Sequence, residues 1–107
     1  MILDTNVLIR RVKAEIEISD NITGITQVEY PPILEYQKFY GKVVYPIEAD
    51  IDLASSIQMK LRKAGTPESA QDIIIAAICI NRGETLVTTD EDFKEIAKVS
   101  KLRIIFE

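Results

Sequence analysis

At 107 residues, 47% hydrophobic and 28% charged, the chain has the size and composition of one compact domain spanning residues 1–107, too short for two and too apolar for disorder. Its 13 basic and 17 acidic residues leave a net charge of −4, and the complete absence of histidine excludes Ser-His-Asp and Cys-His hydrolases, His-metal sites and paired-histidine ribonucleases. The longest strongly apolar run, Ile73 to Ile80, is too short for a membrane span; no basic leader or cleavage pattern opens the chain, and a lone Cys79 among Ile and Ala suits a reducing cytoplasm and a buried role.

The elements follow in chain order. Ile2-Leu3 reads as a very short strand, and Asn6 to about Ile16 as a helix with Val7, Leu8 and Val12 on one side and Thr5 able to cap it. Ile22 to Thr26 reads as a second strand. Ile33 to Tyr40 reads as helical after a turn at Pro31-Pro32, since each proline disfavours helix in the residue before it; Gly41 ends that helix. Val43 to Ile47 is strand-like. Ile47, Ile51, Ala54, Ile57, Leu61 and Ala64 then recur at helical spacing up to Gly65, and Thr66-Pro67-Glu68 starts another helix that ends at Gly83. A strand over Thr85–Thr88, a helix from about Glu91 to Val99 and the closing Leu102–Phe106 complete the pattern. Strands alternating with helices predict an α/β fold with a central parallel sheet of about four to five strands, flanked by helices on both faces. Ligands in such sheets gather at the carboxyl ends of the strands.

Asp4 and Asp90 both close strand-like runs and are placed at such ends, and Asp72 and Glu29 join them as carboxylates close to apolar segments. Each has an ordinary explanation: Asp4 and Asp90 as helix caps, Asp72 on a solvated helical face with Glu68 four residues before it, Glu29 as a surface acid. Carboxylates beside a core are costly without partners, few basic residues lie near them in sequence, and a divalent cation would serve all four. Setting these four aside brings the chain's charge to zero, so its acidity is weak evidence against a phosphate-bearing substrate.

The order strand-Asp-Thr-Asn, Thr-x-x-Glu, helix-Asp-Ile-x-Ile-Ala-Ala, strand-Thr-x-Asp-x-Asp-Phe resembles the PIN-domain family, most of all its VapC-type toxin ribonucleases. ILDTNVLI (Ile2 to Ile9), ITQVEY (Ile25 to Tyr30), DIIIAAICI (Asp72 to Ile80) and LVTTDEDF (Leu86 to Phe93) carry the likeness across nearly the whole chain. The resemblance implies that Asp4, Glu29, Asp72 and Asp90 are the family's catalytic acids, with Asp4, Asp72, Asp90 and the accessory Asp92 as metal ligands, and with Asn6 and Thr88 orienting the first acid or the scissile phosphate. It implies a Mg2+- or Mn2+-dependent endoribonuclease that cleaves RNA by metal-activated water, a VapB-type antitoxin partner, a homodimer and no membrane. The chain departs from the family in its trimmed middle helices and in Pro31-Pro32 beside Glu29.

Arg10, Arg11 and Lys13, and Lys60, Arg62 and Lys63, are candidate RNA-tracking clusters or plain solvated faces; Tyr30, Tyr36, Phe39 and Tyr40 are candidate core or partner-facing aromatics. A receiver domain would need an acidic pair at the first strand, and a haloacid-dehalogenase-type phosphatase would need an Asp where Asn6 stands. A catalytically inert PIN-like binding module is the remaining alternative.

Overall fold

The computed structural model describes every residue from Met1 to Glu107. Five short strands, β1 (Ile2–Leu3), β2 (Ile22–Thr23), β3 (Val43–Val44), β4 (Leu86–Thr88) and β5 (Ile104–Phe106), all pair in parallel. They form a three-stranded sheet in the order β1-β4-β5 and a pair β2-β3. A parallel bridge between Ile2 and Asn21, with Leu3 N–H donating to the Asn21 carbonyl at 2.9 Å, joins the two along β1. The chain therefore steps outward through β2 and β3 on one side of β1, then crosses to β4 and β5 on the other. That reversal lies between β1 and β4, where an open parallel sheet has its ligand crevice.

Alternation along the strands assigns the two faces. Ile2 and Leu86 point into a core with Ala54, Ile57 and Leu61 of helix α3 (Glu48–Lys63), the buried side of α4 (Ala70–Asn81), and Phe93 and Ile96 of α5 (Phe93–Lys98), in the numbering that gives α1 to Thr5–Lys13 and α2 to Gly24–Glu29. Leu3 and Val87 point the other way, onto Val7 and Leu8 of α1, Ile18, Ile22 and Ile33. Both faces are covered as expected. Cys79 is fully buried, and burial pushes its thiol up to about 12, the behaviour of a packing residue. No helix is long and apolar enough to cross a membrane.

Several boundaries differ from the sequence expectation, each for a local reason. Helix α1 begins at Thr5 because Asp4 caps it, Oδ1 accepting from the Thr5 N–H at 2.8 Å, and it ends at Lys13, with Glu15 at φ 55. The strand expected over Ile22–Thr26 stops at Thr23, whose hydroxyl caps the six-residue helix α2. That helix ends at Glu29 because Tyr30, preceding Pro31, is driven to φ −135 and ψ 72. The prolines then open a 3-10 helix, Pro31–Glu35, and residues 36–40 are not helical; Phe39 bridges to Ile18 instead. Gly41 is needed for close approach rather than as a helix end: a Cβ there would stand 1.9 Å from the Asp20 carbonyl oxygen. Helix α4 starts later than expected, with Ser69 rather than Thr66 as its cap, because Gln58 holds both the N–H and the carbonyl of Glu68 outside the helix. Strand β3 stops at Val44 and α5 at Lys98, while Gly65 and Gly83 follow their helices with positive φ as expected.

Candidate active site

Asp4 leaves β1 at its carboxyl end and enters α1 at once, which fixes its side chain in the crevice between β1 and β4. Its second oxygen, Oδ2, accepts from the Thr88 hydroxyl at 2.8 Å, across the crevice from β4. Thr88 is buried, and its Oγ1 in turn accepts from the Asp90 N–H at 2.9 Å. Asp90 Oδ1 accepts from the Asp92 N–H at 2.9 Å, so the strand end is wound into a side-chain-bonded turn. One hydroxyl thus sets the positions of both strand-end acids.

Glu29 reaches the same place from the last turn of α2. Its Oε1 accepts from the Thr5 hydroxyl at 2.7 Å, and Thr5 Oγ1 also lies 3.0 Å from the buried Thr26 hydroxyl. The early end forced by Pro31 therefore leaves Glu29 on the crevice rim, exposed but tethered. Asp72 sits in the first turn of α4, half-buried, its N–H donating to Ser69 Oγ at 3.2 Å.

Electrostatics shows that the four acids share one field. Burial raises the Asp4 carboxyl, opposed by the bonds from Thr88 and Thr5, and the charges of Asp90 and Glu29 raise it further. Burial, then the charge on Asp4, and also those on Asp90 and Glu29, bring Asp72 up to about 6, against the lowering effect of Ser69. Glu68 is raised by burial and then by Asp92, Asp90 and Glu95, making it a further acid on the Asp90 side that the sequence indicated only as a neighbour of Asp72.

None of Asp4, Glu29, Asp72 or Asp90 is paired with a Lys or Arg; the chain's ion pairs fall on Asp20, Asp50, Glu84, Glu91, Glu95 and Glu107. Neither is there, in this conformation, a group of three acids close enough together to hold one ion. Mutually repelling carboxylates share a field and stand apart within it.

The remaining candidates divide. Thr88 is built into the centre, whereas Asn6 and Asp92 are exposed at its edge. Thr5, which holds Glu29, and Thr26, which bonds Thr5, were legible only as a possible cap and as part of Thr-x-x-Glu. Arg10 and Arg11 are engaged with Glu107 rather than free, while Lys60, Arg62 and Lys63 lie exposed at the end of α3. Tyr30, Tyr36 and Phe39 pack against the α1-side core, leaving Tyr40 the exposed member of that cluster.

No curated protein matches the sequence significantly. Among solved structures, a chain of DNA-bound VapBC from Salmonella typhimurium is 22% identical with a TM-score of 0.79, the match covering 98% of this chain and 96% of that one. A chain of VapBC-5 from Mycobacterium tuberculosis, a member of the VapBC family of toxin-antitoxin systems, is 18% identical with a TM-score of 0.76, over 99% of this chain and 97% of that one. A chain of FitAcB from Neisseria gonorrhoeae is 18% identical with a TM-score of 0.71, over 97% and 95%. At these identities the likeness is one of fold. The family model of the PIN domain matches residues 33–99, which include Asp72 and Asp90. That match takes in more than half of the chain, which therefore belongs to the PIN domain family.

Proposed function

We propose that this chain is a divalent-metal-dependent endoribonuclease, the toxin of a VapBC-type pair, acting through Asp4, Glu29, Asp72 and Asp90. One observation carries the reading: four acids from four separate segments share one field at the β1/β4 reversal, and no basic side chain neutralises them. A structural role would leave such acids paired.

The donor set fits magnesium or manganese in kind, being all oxygen and strongly anionic. Magnesium ordinarily takes one or two protein carboxylates and keeps several waters, so the lack of a ready-made three-carboxylate cage is compatible with it. Asp4, Asp72, Asp90 and the accessory Asp92 are the ligand set, of which one or two would hold the ion directly and the others would reach it through its waters. When bound, it supplies Lewis acidity and lowers the pKa of water. The chain's residues do the rest. Thr88 and the Thr5 N–H fix the Asp4 carboxylate in one orientation, Thr5 Oγ1 holds Glu29 at the rim, and exposed Asn6, two residues after Asp4, would orient the scissile phosphate. With no histidine in the chain, any protein group receiving a proton at this centre is a carboxylate. An unpaired strand is the expected substrate, because a crevice cannot open a duplex.

The test is cleavage of single-stranded RNA with magnesium, with chelator, and by Asp4→Asn. Cleavage only by the parent chain with metal supports the reading; activity that survives chelation or Asp4→Asn overturns it. The spread of the acids gives some support to an inert binding module, which calorimetry with manganese separates, since such a module has no reason to bind the ion. The partners proposed with this function are a VapB-type antitoxin and a second copy of the chain, in a cytoplasmic setting.

A further inference from the structure

Arg10 and Arg11 are neighbours on α1, and their guanidinium groups converge on one carboxylate. Arg10 Nη2 pairs with Glu107 Oε2, while Arg11 Nη2 meets Oε1 at 2.5 Å. Asp20 steadies Arg11 from the other side at 3.1 Å. Glu107 is delivered by the backbone: its N–H donates to the Thr88 carbonyl at 3.0 Å, and Thr88 is the residue whose hydroxyl clasps Asp4. Two cationic donors, one on each oxygen of an anion, also suit the two non-bridging oxygens of a phosphodiester. Along α1 these arginines lie about 9–10 Å from Asp4, at 1.5 Å rise per residue.

We propose that Arg10 and Arg11 form a seat for a backbone phosphate of single-stranded RNA, and that Glu107 occupies the seat as an intramolecular substitute the strand displaces. The ligand class rests on the ribonuclease reading; the seat rests on the geometry. Arg10 is 53% exposed and Glu107 35%, so a strand can reach the pair. Ion pairs this accessible are weak enough to be exchanged for another anion. Arg11, then Arg10, lowers the Glu107 carboxyl, which keeps it a charged competitor at neutral pH.

The experiment is fluorescence anisotropy of a labelled, unstructured oligoribonucleotide with the full chain in EDTA, at two salt concentrations. Glu107→Gln is expected to tighten binding about fivefold, the scale of one exposed ion pair. Arg10→Gln is expected to weaken it about fivefold and to lower the salt slope by roughly one. In an Arg10→Gln/Arg11→Gln background, Glu107→Gln should give no gain. Glu35→Gln, an exposed acid with no arginine partner, controls for net charge. Parent-like binding by Glu107→Gln, an equal gain from Glu35→Gln, or selective capture of an oligoglutamate peptide instead of RNA each overturns the seat. Should Arg11→Gln fail to fold, the exposed Arg10 position carries that arm alone. RNA cleavage with no effect of Glu107→Gln would sink the seat and leave the nuclease standing; the displacement pattern without cleavage in any metal would do the reverse.

Discussion

Asp72 carries the chain's clearest pH dependence. Its carboxyl is raised from an ordinary value near 3.8 to about 6, so the folded state holds a proton that the unfolded state releases between those values. Stability of the metal-free protein therefore falls as pH rises from about 4 to 6, and full stability is present only below that window. Asp72→Asn should remove the loss and stabilise the metal-free chain at pH 7.5 by about 1–2 kcal/mol after allowance for solvent screening. Urea unfolding at pH 4.5 and 7.5 checks this; a parent chain as stable at the higher pH as at the lower would refute it. Asp4→Asn is expected to act in the same direction on stability while abolishing cleavage. Thr88→Val removes the hydroxyl that positions Asp4 and Asp90, at about 1–2 kcal/mol of stability. If Thr88 positions acids rather than merely packing, kcat should fall about 100-fold while Thr88→Ser retains most of the rate. Asp4, Asp72 and Asp90 were legible as candidates because strand ends and an apolar helix mark them in the sequence. Glu29 was a candidate chiefly through the family resemblance, since its place depends on where α2 stops, a boundary set by Tyr30 and Pro31.

At the scale of elements, the long amphipathic helices, the alternating strands and the short α5 could be read from the sequence, while the equally short α2 could not. Gly24-Ile25-Thr26-Gln27-Val28-Glu29 is rich in β-branched residues and too short for helical periodicity to register, so its first half, through Thr26, reads as part of the strand from Ile22; the cap from Thr23 and a tight fit against Tyr45 decide otherwise. Asp50 went unread for a different reason, because its partners lie in another helix. It is completely buried in the first turn of α3, where it accepts from the Ile47 N–H at 2.8 Å, from Asn81 at 2.8 Å and from both Nη atoms of Arg82 at 2.7 and 2.9 Å. Burial alone would raise this carboxyl; the bonds from Arg82, Ile47 and Asn81 outweigh it and bring it down to about 2. The α3–α4 pairing therefore contributes stability that is fully present above about pH 4 and lost as pH falls toward 2. Asp50→Ala leaves Arg82 without its counter-charge beside the core and should cost about 2–4 kcal/mol. Calorimetric melting reads this directly, and a shift in Tm of less than a degree or two would show the cluster to be incidental.

For the whole molecule, α3 and α4 leave between them an apolar groove of about 360 Å3 lined by Ile51, Ala54, Met59, Ala70, Ile73 and Ile74. Helix α3 carries the exposed acids Glu48 and Asp52 near its start and the exposed Lys60, Arg62 and Lys63 in its last turn. A second copy laid antiparallel along this helix would set each acidic end against a basic one, a self-complementary arrangement of the kind a two-fold dimer requires. The homodimer proposed above is therefore expected to use this face. Arg62→Glu should weaken it about tenfold at low salt, read as a concentration-dependent fall in mass by light scattering. A parent chain that stays monomeric at micromolar concentration removes the basis for that expectation.

The hydrogen bond from Thr88 to Asp4 joins residues 84 positions apart. During synthesis the first acid emerges long before its clasp and before the second strand-end acid beside it. A nascent chain thus lacks the complete centre until Thr88 and Asp90 have left the ribosome. The nuclease proposed above would therefore be inactive toward the message that encodes it until Thr88 and Asp90 have emerged.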